Sequence, residues 1–77
     1  MHAKAKWETG RWWHTRKPEG WLHITKAEGG RFFWEAVLIG TDRTMDGYCD
    51  SLSEAKRAAH AAYDQAYARL VAARGGA

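Results

Sequence analysis

From Ser51 onward the chain has one regular reading. Ser51-Leu52-Ser53-Glu54 has the form of a helix capping box: a hydroxyl at the N-cap, answered three residues on by a carboxylate. Asp50 adds negative charge at the end where the helix dipole favours it. Leu52, Ala55, Ala59, Ala62, Ala66, Leu70 and Ala73 then recur at steps of three and four, tracing one face of a helix over residues 51–74. Arg69 and Arg74 stand at its last turns, and Gly75-Gly76 stops it. A stripe made mostly of alanine lets the helix axis lie close to whatever it covers, so the bulky partners have to come from the rest of the chain.

They are there. Five tryptophans, three tyrosines and two phenylalanines sit among 77 residues, and every tryptophan precedes residue 35. Large aromatics supply much burial per residue, which suits a chain that buries only about 60% of its unfolded surface. Before the helix the pattern is one of short apolar or aromatic runs split by turn residues. Residues 12–16 end at Lys17-Pro18-Glu19-Gly20, residues 21–26 end at Ala27-Glu28-Gly29-Gly30, residues 31–39 form a longer run, and residues 44–49 a short fourth. Links this short favour an antiparallel meander. The expected fold is α+β: a three- to four-stranded antiparallel sheet packed on one long C-terminal helix. Residues 1–77 form a single domain, with 1–10 as a flexible N-terminal arm, 11–49 as the sheet and 51–74 as the helix.

Alternation assigns the faces. Pairing across the Glu28-Gly29-Gly30 turn puts Leu22, Ile24, Phe33, Val37 and Ile39 on one side, with Trp13, and Glu35 awkwardly among them. Trp21, His23, Phe32, Trp34, Ala36 and Leu38 fall on the other, with Trp12, His14 and Arg16. The aliphatic side is expected to meet the alanine stripe. One helix cannot cover both sides, so the aromatic side is expected to meet a partner, unless N-terminal residues fold over it with Trp7 as the plug.

Metal and enzyme chemistry find little support. His14 and His23 stand opposite each other as half a zinc site, with no third ligand in view. His60 and Asp64 read as a solvated pair on the helix surface. Cys49, the only cysteine, has no base beside it and excludes an internal disulfide, which points to a reduced, cytoplasmic setting. Asp42, Asp46 and Asp50 do not have calcium-loop spacing, and Asp46-Gly47 reads as a turn. No glycine-rich phosphate loop precedes a helix, no signal peptide is expected, and no apolar run approaches a membrane span. No cofactor, metal or catalytic activity is expected.

Charge points to the first half. Residues 1–31 hold seven Lys/Arg against three Glu, whereas residues 32–77 hold five against six Asp/Glu. Trp12, Trp13, Trp21, Phe32 and Trp34 interleave with Arg11, Arg16, Lys17, Lys26 and Arg31, offering stacking planes beside phosphate partners.

Gly47-Tyr48-Cys49-Asp50-Ser51-Leu52-Ser53-Glu54-Ala55, running into Ala61-Ala62-Tyr63-Asp64-Gln65-Ala66, resembles the last strand and helix of the plant ethylene-response-factor type DNA-binding domain. The same outline occurs in the arm-binding domain of phage-type integrases. The resemblance implies a sheet face armed with Arg and Trp that docks into DNA. The plant domain's closely spaced arginine pair is absent from Trp21-Leu22-His23-Ile24-Thr25-Lys26. In size, tryptophan content and architecture the chain also resembles small phage accessory proteins, anti-CRISPR inhibitors among them.

The leading expectation is a non-enzymatic accessory inhibitor that occludes a host protein or nucleoprotein complex. The contact residues expected for it are Trp12, His14, Arg16, Lys17, Trp21, His23, Arg31 and Trp34. Direct DNA or RNA binding by the same sheet face is the alternative, and a homodimer the third reading.

Overall fold

The computed structural model describes residues 12–39 and 44–75. Strands β1 (Trp12–Lys17), β2 (Gly20–Lys26), β3 (Phe32–Leu38) and β4 (Thr44–Cys49) form one antiparallel sheet in the order β1-β2-β3-β4, and helix α1 (Leu52–Ala73) lies on one side of it. The expected α+β fold is the observed one, with the fourth strand present. The proposed N-terminal arm, the Trp7 plug and residues 40–43 lie outside the described residues.

Local chemistry sets each junction. At the first hairpin Lys17 pairs with Gly20 across Pro18-Glu19. A side chain at Gly20 would run into the Val37 carbonyl oxygen, so only glycine fits that close strand approach. At the helix start Ser51 has extended backbone angles, and its Oγ accepts from the Glu54 N–H at 3.2 Å while donating to the Glu54 carboxylate at 2.9 Å. At the other end Gly75 takes the left-handed conformation, φ 68°, and its N–H donates to the Ala72 carbonyl at 3.1 Å.

The link between β2 and β3 corrects the expected faces. Gly29 and Gly30 both adopt the left-handed conformation, φ 74°, and the Ala27 N–H closes the loop on the Arg31 carbonyl at 2.8 Å. Arg31 thus belongs to the loop, and Lys26 pairs with Phe32 rather than with Arg31. One added loop residue turns every β3 side chain to the opposite face. Phe32, Trp34, Ala36 and Leu38 therefore join Leu22 and Ile24 under α1, while Phe33, Glu35 and Val37 join Trp21 and His23 on the side turned away. Ile39, expected in the core, is exposed.

The core is built from Leu22, Ala36, Leu38, Ala59 and Tyr63, ringed by half-buried Trp34, Met45, Ala62 and Leu70. Ala55 and Ala59 are fully buried, as the alanine stripe requires, but the helix also buries Tyr63, which the stripe omitted. Ala73, included in the stripe, is exposed. Tyr63 reaches the β1–β2 turn, where its hydroxyl accepts from the Glu19 N–H at 3.0 Å, and burial pushes that hydroxyl's pKa up. The Arg74 guanidinium grips the Glu19 carboxylate with two bonds, at 2.8 and 2.6 Å, so the far end of α1 is tied to the same turn. At 1.5 Å per residue the helix is about 33 Å long, against about 23 Å for a seven-residue strand, and residues 71–73 of its last turn are exposed.

Candidate binding face

Every buried strand residue among those described lies on the helix side: Thr15, Gly20, Leu22, Ile24, Ala36 and Leu38. Among the described residues of the opposite face none is buried. That open face is laid out in cross-strand rows. One row reads His14–His23–Glu35–Asp46 from β1 to β4, and the next Arg16–Trp21–Val37–Thr44. Beyond the first row, on the other side, stand Thr25, Phe33 and Tyr48. Neighbours in a row stand on adjacent strands about 4.8 Å apart, so their side chains are in reach of one another.

The rings make specific contacts. The His14 and His23 imidazoles meet edge to face with centroids 5.9 Å apart, and Phe33 and Tyr48 are tilted against each other at 5.2 Å. Tyr48 is 56% exposed, a large aromatic standing in solvent on the outer strand. The Arg31 guanidinium lies 5.1 Å from the Tyr48 ring centroid, and its Nε is 3.7 Å from Asp50 Oδ1.

Of the expected contact residues, the structure gathers His14, Arg16, Trp21 and His23 on this face. Trp12 occupies the β1 position opposite Thr25; its side chain lies outside the description. Arg31 reaches the face's edge from the loop. Two are corrected. Trp34 lies on the helix side, where its indole spreads over Gly47, and a Cβ at Gly47 would stand 2.9 Å from Trp34 Nε1. Lys17 also lies on the helix side, with Nζ 4.0 Å from Asp64 Oδ1 and 5.5 Å from the Tyr63 ring centroid. Asp46-Gly47, read as a turn, is instead the middle of β4, and Gly47 makes room for the indole.

Sequence reasoning missed Phe33, Glu35, Val37, Asp46 and Tyr48 on this face. The available signal was Glu35, whose misfit among aliphatic residues was the mark of a register one residue off. With these residues in place the face is not uniformly basic. Arg16 and the imidazoles occupy the β1–β2 half; Glu35 and Asp46 occupy the β3–β4 half. Lys17, Arg31 and Arg74 are each set against a carboxylate elsewhere, on Asp64, Asp50 and Glu19. Among the described residues no three His, Cys, Asp or Glu side chains are grouped to hold a metal ion, and no helix is long and apolar enough to cross a membrane. Cys49 is a free thiol, half-buried.

Comparison with family models, with curated proteins and with solved structures finds no match.

Proposed function

We propose that the chain is a non-enzymatic protein-binding module whose contact surface is the sheet face turned away from α1. The observation that carries this is the composition of that face: Trp21, Phe33, Val37 and Tyr48 share it with Arg16 and two imidazoles on one half and two carboxylates on the other. Aromatic and aliphatic side chains left half-exposed on one layer are what a protein interface uses as anchors, with charges around them for specificity. An accessory inhibitor that occludes a host protein or nucleoprotein complex is the narrower form of this proposal; chain size and aromatic content support it.

Direct DNA or RNA binding through the same face is disfavoured by Glu35 and Asp46, which would stand among the phosphates. Phosphate recognition relies on an excess of Lys and Arg on the docking surface. Here Arg16 is the single Lys or Arg among the strand residues of the face described.

A photo-crosslinking amino acid at Val37 or Tyr48 tests the proposal against the same probe at Arg57 on the exposed side of α1. Protein adducts are expected from the sheet positions and not from Arg57. Equal labelling from both, or adducts only from Arg57, sinks the proposal. A nucleic-acid module would instead show affinity that falls steeply with salt and depends on Arg16.

A further inference from the structure

The charges on the open face are ordered, and the order makes the face complementary to itself. In the row His14–His23–Glu35–Asp46 the imidazoles stand on β1 and β2 and the carboxylates on β3 and β4. Two such sheets can close face to face about a twofold axis in two simple ways. With the axis across the strands and through this row, each strand meets its own copy, so His23 faces His23 and Glu35 faces Glu35. With the axis along the strands, β1 lies over β4 of the second copy and β2 over its β3. The row then meets itself reversed: His14 faces Asp46, and His23 faces Glu35. In the neighbouring row Trp21 faces Val37, and Arg16 faces Thr44. No like charges oppose each other in either row.

We propose that the open face is an isologous contact between two copies of this chain, sheet on sheet, with the twofold axis along the strands. The inference rests on the face being a protein-contact surface, and it names the occupant. Four strands about 4.8 Å apart and about 20 Å long give a footprint of roughly 400 Å² in projection. A standard stable complex buries about 800 Å² per partner, so the pair is reversible and forms with rising concentration. Such a pair keeps Trp21, Phe33 and Val37 out of water until another partner competes for them.

Sedimentation of the full chain over a series from about 5 to about 500 µM tests the pairing by mass action. The mass is expected to rise from 8.7 kDa toward twice that value. Glu35→Lys places a cation against His23 of the second copy, and His23→Asp places an anion against Glu35. Each variant alone should weaken self-association by at least about tenfold. An equimolar mixture of the two should restore it, because the introduced lysine then faces the introduced aspartate and the unaltered His23 faces the unaltered Glu35. That rescue also separates a lost contact from a misfolded chain.

A constant mass of 8.7 kDa at the highest concentration overturns the inference, as does a dimer that both variants leave intact or a mixture no better than its parts. If the chain stays monomeric while a crosslinker at Val37 still captures another protein, self-pairing fails and the protein-contact reading stands. No adduct of any kind from Val37 or Tyr48, with no change in mass, removes both.

Discussion

The two faces of the sheet are made by the same strands, residue by alternate residue, and have opposite fates. Under α1, Leu22, Ile24, Ala36 and Leu38 are sealed, and Trp34 roofs a glycine; on the reverse, Trp21, Phe33, Val37 and Tyr48 remain in contact with water. The difference does not come from hydrophobicity, since both faces carry large apolar side chains. It comes from the single helix and from which residues its small stripe admits. Ala55 and Ala59 let the backbone of α1 approach the strands, and Tyr63 fills what they leave. A second layer to do the same for the reverse face is absent among the described residues.

The largest expected effect breaks or upholds that contrast directly. Leu22→Ala removes a fully buried side chain and should cost about 3 kcal/mol, a large share of the 5–10 kcal/mol expected of a chain this small. Val37→Ala, at a half-buried position of the open face between Trp21 and Thr44, should cost less than about 1 kcal/mol in dilute solution. Urea denaturation of the two variants measures both. Equal costs would mean that the open face is covered, and the comparison would collapse.

Gly47→Ala sharpens the account of the helix side. The new methyl would lie 2.9 to 3.0 Å from Nε1, Cε2 and Cζ2 of Trp34, and the indole is wedged against the core. Overpacking of this kind costs about 1–3 kcal/mol, which outweighs the modest gain from replacing glycine in a strand. Trp34→Leu in the same background should recover part of the loss. A double-mutant cycle with no coupling between the two positions would remove the proposed reason for the glycine.

Much of this was legible in the sequence, and the part that was not has a definite physical origin. The helix could be placed because a capping hydroxyl, a 3–4 periodicity and a glycine stop agree, and local chemistry decides all three. The first hairpin pairs as a four-residue Lys17-Pro18-Glu19-Gly20 turn predicts, with Arg16 opposite Trp21, so His14, Arg16, Trp21 and His23 share the open face. Register across the second turn depends on how many residues two left-handed glycines absorb. Arg31 is as plausible at the start of a strand as at the end of a loop. That one residue carried Trp34 to the core and Phe33, Glu35 and Val37 to the surface. Tyr63 was missed because an aromatic one position from an alanine stripe looks like its border, whereas only packing against Glu19 and Lys17 shows it to be the filler.

Smaller effects concern the turn where sheet and helix meet. Tyr63→Phe keeps the ring and deletes the acceptor of the Glu19 N–H, so it should cost about 1 kcal/mol, measured by thermal melting. A cost near zero would mean that water replaces the hydroxyl freely.

The Glu19–Arg74 pair gives the smallest effect and the most specific signature. The two hydrogen bonds from Arg74 hold the Glu19 carboxyl below its ordinary value of 4.5, outweighing the opposing effect of partial burial. A carboxylate whose pKa is depressed by folding contributes stability above its unfolded value and loses it as pH falls through the folded one. Arg74→Gln should therefore melt below the parent chain at pH values above about 5, with the two curves converging as the pH drops through the carboxylate range. Because the pair is open to solvent, added salt should shrink the gap at neutral pH as well. The Val37→Ala variant should show neither convergence nor salt sensitivity relative to the parent, because its face lies away from this turn's charges. A gap between Arg74→Gln and the parent that persists unchanged into acid would assign the arginine's contribution to the helix terminus alone, and not to the tie between helix and hairpin.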